Sequence, residues 1–240
     1  MPRLAWVLVV ATLLATANLV VQVARKPTEI LGLVFAPDPL TPAETWARYG
    51  PLFRRHSTSL VRPALLAALV QLESAGDPLA RTYWRFRPSL NPFHLYAPAS
   101  TAVGILQITD GTFAAARHYC IHDHRAVRDD GPFDDRCWLN GLYFRTLPGD
   151  SIEMTSAYLD RGVARALERR PPEWPPAGPA RTDALAAAIH LCGPARGEAF
   201  AARGLRPGAG ERCGDHDLRA YLERAAALVA QFERLAGAGR

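Results

Sequence analysis

The stretch Leu-Leu-Ala-Ala-Leu-Val-Gln-Leu-Glu-Ser, residues 65–74, ends an apolar run in a single carboxylate, Glu73. Helical spacing places Glu73 on one stripe with Leu66, Leu69 and Val70. A carboxylate there meets the unpaired carbonyls of a last helical turn and a desolvation penalty, and both push its pKa upward. A carboxylic acid that keeps its proton near neutral pH is what a general acid requires, and glycoside cleavage is a reaction that uses one. The same placement also suits a glutamate that reaches solvent at a fraying helix end or pairs with an arginine.

A second stretch, Ser-Thr-Ala-Val-Gly-Ile-Leu-Gln-Ile-Thr-Asp-Gly-Thr-Phe at 100–113, joins a small-residue turn, Gly104, and an apolar run holding one amide, Gln107, to a helix cap. Between the two lies 79–99, proline-rich and without helical or strand periodicity, which reads as a long surface loop. Its rings, Tyr83, Trp84, Phe86, Phe93 and Tyr96, suit stacking on sugar faces or capping the core. Its Arg81, Arg85 and Arg87 suit pairing with carboxylates or plain solvation.

The elements that must carry these residues are mostly helices. Thr41, Pro42 and Glu44 form a capped helix start, and Pro63 opens the helix of Glu73, which Gly76-Asp77-Pro78 closes. Further helices are expected from Asp110 or Thr112, over 151–170, over 182–191 and over about 215–236, the last given no functional role. Residues 121–150 read as a Cys-bounded loop and a short turn, and 169–180 as a proline-rich loop. Strand alternation is scarce, so the fold class is mainly α.

With 240 residues, 49% of them hydrophobic and 21% charged, the chain suits one domain with a full core plus an N-terminal segment. Its net charge of +5 favours polyanions, membrane surfaces or acidic wall polymers. The arginines are scattered, with no basic stripe, finger or phosphate loop, so no nucleic-acid partner is expected. Residues 1–26 hold an apolar run from Leu4 to about Val23 followed by Arg25-Lys26, an export signal with a small-residue site after Ala17 or a membrane anchor. A tether over 27–42 and a domain over 43–240 follow. In an exported chain four cysteines are most simply two disulfides, and the sequence-local pairing is Cys120–Cys137 with Cys192–Cys213. The competing metal reading, from His118, Cys120, His122 and His124 and from Cys213 near His216, lacks the paired Cys-x-x-Cys spacing of a structural zinc site.

Taken together, Gln-Leu-Glu-Ser at 71–74, Gly-Ile-Leu-Gln-Ile at 104–108, Ser-Ala-Tyr-Leu-Asp-Arg at 156–161 and Ala-Ile-His-Leu-Cys-Gly-Pro at 188–194 resemble, in order and spacing, the motifs of the SLT-type lytic transglycosylases. The resemblance spans roughly 45–200 and implies a lysozyme-like fold that needs no cofactor and no metal, acting on peptidoglycan glycan strands. It implies that Glu73 protonates the glycosidic oxygen between N-acetylmuramic acid and N-acetylglucosamine. As a carboxylate, Glu73 then deprotonates the muramoyl 6-hydroxyl, which closes a 1,6-anhydro ring. It further implies that Ser74 hydrogen-bonds the substrate or the acid, that Gln107 holds an acetamido group, and that Gly104 lets glycan approach the backbone. Tyr96, Tyr158 and His190 complete the implied binding set. His190-Leu191 stands where the family places Tyr-Asn, so an imidazole replaces the phenol that orients the acid; as a cation it would lower the Glu73 pKa. Thr101 stands for the family's glycine. The expectation is a periplasmic enzyme, released or held at the inner membrane. Its rivals are a hydrolytic muramidase related to goose-type lysozyme and a catalytically weak glycan-binding scaffold partnering envelope-machine proteins.

Overall fold

The computed structural model describes residues 2–238 other than 27, 29, 30, 32, 33, 36, 37, 132, 133, 135, 138–141, 172 and 173. Much of the expected 27–42 tether therefore lies outside the described residues. An apolar helix α1 (Pro2–Arg25) precedes α2 (Pro42–Arg55) and α3 (Pro63–Ser74). A hairpin of β1 (Trp84–Phe86) and β2 (Tyr96–Pro98) encloses a short α4 (Pro92–Leu95), and α5 (Asp110–Ala116) leads to a second hairpin, β3 (Tyr119–His122) with β4 (Arg125–Arg128). Then come α6 (Pro148–Glu168), α7 (Pro179–Cys192), α8 (Pro194–Ala202), a two-residue hairpin of β5 (Arg212–Cys213) and β6 (His216–Asp217), and α9 (Leu218–Ala238). The mainly α class holds.

The local reasons are those of helix chemistry. The Thr41 hydroxyl accepts from the Glu44 amide while Glu44 accepts from the Thr41 amide, a reciprocal cap with Pro42 at the first helical position. Proline also opens α3, α6, α7 and α8, where its missing N–H costs nothing. Where the sequence reading differs, the strands are too short to show alternation: β1–β2 replaces the expected 79–99 loop, β3–β4 part of the 121–150 loop, and β6 takes the start of the helix expected from about 215, which begins at Leu218 instead. Helix α8, nine residues beyond the turn at Gly193, is a further addition.

Helix α3 is the buried axis of the body. Ala64 through Val70 are all buried, so the helix is enclosed on every side rather than on one stripe. Helices α2 and α9 pack along it, with Trp46 and Phe53 of α2 and Phe232 of α9 in ring contact. Helices α6, α7 and α8 pack on one another and bring Ile152, Leu159, Leu185, Ile189 and Phe200 into the same core.

Both expected disulfides are present, Cys120–Cys137 and Cys192–Cys213. The first ties β3 to the following loop; the second ties the end of α7 to the β5–β6 hairpin. With their sulfurs so committed, neither the 118–124 stretch nor Cys213 with His216 has a thiolate to offer a metal. Replacing both Cys192 and Cys213 by Ser is expected to destabilise the fold by roughly 3 kcal/mol, read as a lower urea midpoint. An unchanged midpoint would show that this bridge restrains nothing.

Candidate active site

Helix α3 stops abruptly because Ala75 (φ 49°) and Gly76 (φ 77°) are both left-handed, and the chain turns away after Ser74. That stop is clamped: Leu40 N–H donates to the Ala75 carbonyl at 2.7 Å and Tyr49 Oη donates to the Gly76 carbonyl at 3.1 Å. Thr45 donates to Gln71 at 2.8 Å, and Gln71 donates to the Leu40 carbonyl at 2.9 Å. The last turn of an otherwise enclosed helix thus comes to the surface at a fixed place, which explains the isolated glutamate. The Glu73 side chain retains 20% exposure.

Two groups distant in sequence converge on Glu73 Oε1. Tyr221 Oη, from the first turn of α9, donates to it at 2.7 Å, and His190 Nε2, from the end of α7, lies 3.5 Å away. His190 therefore meets the acid as the sequence analysis allowed. Tyr221, from the helix given no role there, supplies a phenol as well. Tyr221 lies on the buried face that Ala225, Val229 and Phe232 continue, a polar tip at the end of an apolar stripe, the same signal that singled out Glu73. His216, on β6, is close enough for its charge to act on Glu73. On the neighbouring rim Tyr83 Oη donates to Asp215 at 3.2 Å, joining the 79–99 segment to the β5–β6 hairpin.

Burial pushes the Glu73 carboxyl up, but the hydrogen bond and charge of His190, the Tyr221 hydroxyl and the charge of His216 together outweigh it. The net direction is below the ordinary carboxylate value, which corrects the upward shift expected from the helix alone. Burial and the Glu73 charge hold the Tyr221 phenol well above its usual range, so it stays a donor. The sign for stability follows. A depressed carboxylate stabilises the fold above its unfolded pKa, and that contribution is lost as pH falls through the folded value.

The remaining expected residues make contacts within the chain. Ser74 Oγ donates to the Ile105 carbonyl at 2.8 Å and accepts from the Gly76 amide at 3.2 Å. It thereby joins the end of α3 to the turn at 103–108. That turn is closed by the Val103–Ile108 bridge and plugged into the core by Ile105, Leu106 and Ile108. Gln107, itself left-handed at φ 45°, spends its amide hydrogens on the Gly104 carbonyl at 2.9 Å and the Ala80 carbonyl at 3.3 Å, so only its Oε1 is open to a ligand. Gly104 does admit a close approach, but by the chain's own Arg145 carbonyl and not by glycan, since a Cβ there would sit 1.9 Å from that oxygen.

A cavity of about 300 Å³ opens beside Ser74, with Asp77, Leu79, Ala80 and Arg81 on its wall, which puts one of the loop arginines next to the end of α3. Tyr158 lies half-buried on α6 with its hydroxyl bonded by Thr112 of α5. Tyr96 is exposed on β2 and leans on Trp84 with ring centroids 5.3 Å apart. Neither a protein-family model nor a curated protein sequence matches the chain at a significant level.

Proposed function

We propose that this chain is an exported peptidoglycan lytic transglycosylase with a lysozyme-like domain, acting on the periplasmic side of the inner membrane. The observation that carries the proposal is the Glu73 carboxyl, partly exposed at the end of a buried helix and gripped on one oxygen by Tyr221 and His190. Struts from Ser74 to Ile105 and from Gln107 to Ala80 fix that helix end against the 103–108 turn, holding an acid in place for a bound strand. The apolar helix α1 and two disulfides support a location outside the cytoplasm.

In this reading Glu73 gives its proton to the O4 leaving oxygen as the C1–O4 bond of N-acetylmuramic acid breaks. The muramoyl O6 then attacks C1, and its proton returns to Glu73. The catalyst is regenerated without water, so one carboxyl suffices where a hydrolase uses two. Tyr221 and His190 act as positioning residues: they hold Oε1 and leave Oε2 for the proton transfer. Gln107 Oε1 accepts from the acetamido N–H, and Arg81 pairs with a stem-peptide carboxylate.

The test is digestion of purified peptidoglycan by the full chain in neutral detergent, with mass spectrometry of the released muropeptides. Anhydro-muropeptides support the proposal. Reducing ends would make the chain a muramidase, and no release would make it a binding protein. Because the carboxyl is depressed by His190, its protonated fraction grows toward acid, and kcat/KM is expected to rise as pH falls below neutral until the fold fails. His190→Phe removes the largest of the contributions that oppose burial while those of Tyr221 and His216 remain, so the descending limb is expected at higher pH. A limb that stays in place would remove His190 from the protonation of Glu73.

A further inference from the structure

We propose that the β1–β2 hairpin is a membrane-contacting element whose Phe86, Leu90 and Tyr96 sit in the lipid interface of the bilayer that α1 crosses. This contact presupposes the membrane location proposed above but not the glycan chemistry. Helix α1 has an apolar span of 22 residues, Arg3–Ala24, with mean hydropathy 2.3, and Leu4, Trp6, Leu13 and Leu14 along it are exposed. A span of that length matches a hydrocarbon core of about 30 Å, which puts Ala24 at its edge. At the usual rise per residue Asn18 then lies about 9 Å inside that edge and Gln22 about 3 Å inside.

Amides at that depth need partners within the protein, and the hairpin supplies them. Asn18 Nδ2 donates to the Tyr96 carbonyl at 2.8 Å, Gln22 Nε2 donates to the Phe93 carbonyl and to Asn18 Oδ1 at 3.2 Å, and both side chains are buried. These bonds fix the hairpin against the last two turns of α1, below the end of the helix. Strand register carries the depth across: Phe86 pairs with Tyr96, so both stand near the level of Asn18, and Leu90 lies in the connection between Phe86 and Phe93. Phe86 is 67% exposed, Tyr96 53% and Leu90 completely. Large apolar and aromatic side chains at that level belong to the lipid interface, where the tilted pair of Trp84 and Tyr96 also suits the headgroup boundary. Arg87, exposed beside Phe86, has a stem long enough to return its charge to the headgroups. In water the three side chains would form an uncovered patch beside an uncovered helix, whereas one bilayer covers both.

The experiment is spin-label accessibility on the full chain in phosphatidylcholine vesicles, with Phe86→Cys, Leu90→Cys, Leu14→Cys and Arg234→Cys labelled one at a time. The native cysteines are paired, so the introduced thiol takes the nitroxide, and all four positions are exposed, so the label displaces no core. Apolar oxygen concentrates in lipid and a charged nickel chelate stays in water. At Phe86 and Leu90, as at Leu14, oxygen is expected to collide with the label more than the chelate does, and at Arg234 the order is expected to reverse. Labels at Phe86 and Leu90 that read as aqueous as Arg234 while Leu14 reads as lipid would overturn the hairpin contact alone. A Leu14 label in water would overturn the contact together with the membrane location. Spin–spin broadening between copies labelled at Leu90 would put a second chain on this face and overturn the lipid contact. Digestion of peptidoglycan by the same labelled chains reports the activity separately.

Discussion

Glu73→Gln is expected to release no detectable anhydro-muropeptide, a loss on the order of 10³- to 10⁴-fold, since one group both donates and recovers the proton. The substitution is close to isosteric. Its carbonyl oxygen still accepts from Tyr221, so the hydrogen bond at 2.7 Å survives while the titrating proton does not. A side chain only 20% exposed also ceases to be a charge, which relieves desolvation and offsets the lost attraction to His190. The unfolding midpoint should therefore stay near that of the parent while activity vanishes. Activity within tenfold of the parent would mean that Glu73 is not the acid. A collapsed midpoint would assign it a structural role instead.

Gly104→Ala is expected to destabilise the fold by about 2–5 kcal/mol, from left-handed backbone strain and from overpacking. At φ 80° the position disfavours any Cβ, and the new methyl would stand 1.9 Å from the Arg145 carbonyl oxygen and 2.9 Å from its carbon. That carbonyl cannot retreat cheaply. The Arg145 guanidinium donates to the Thr101 and Ile108 carbonyls at 3.1 and 3.0 Å and pairs with Asp110, so the two segments are cross-clamped. The displacement passes to the Ile105 carbonyl that holds Ser74, hence to the last turn of α3, and activity should fall with stability. A urea midpoint within error of the parent would show that the 142–147 segment moves freely, and would leave Gly104 open to a ligand-facing role.

The features legible in the sequence rest on neighbours along the chain. The Thr41–Glu44 cap, the proline-led helix starts, the break at Gly76 and both short-range disulfides are local chemistry, so residue type and spacing determine them. The meeting of Glu73 with His190 also came from sequence, through motif order. The hairpins did not, because strands of two to four residues carry no readable alternation. Tyr221 was passed over because a tyrosine on an amphipathic helix reads as packing until its partner is known.

Sequence alone thus determined a mainly helical chain with an apolar N-terminal helix, paired cysteines and an isolated glutamate at a helix end. Tertiary structure decided what surrounds that glutamate. It brought Tyr221 from α9 and the charge of His216 from β6, made struts of the Ser74 hydroxyl and the Gln107 amide nitrogen, and filled the space at Gly104 with Arg145. It also reversed the direction of the Glu73 pKa. Burial and helix position are visible locally and push upward, whereas the opposing charges come from residues far along the chain, and only the fold sets their distances.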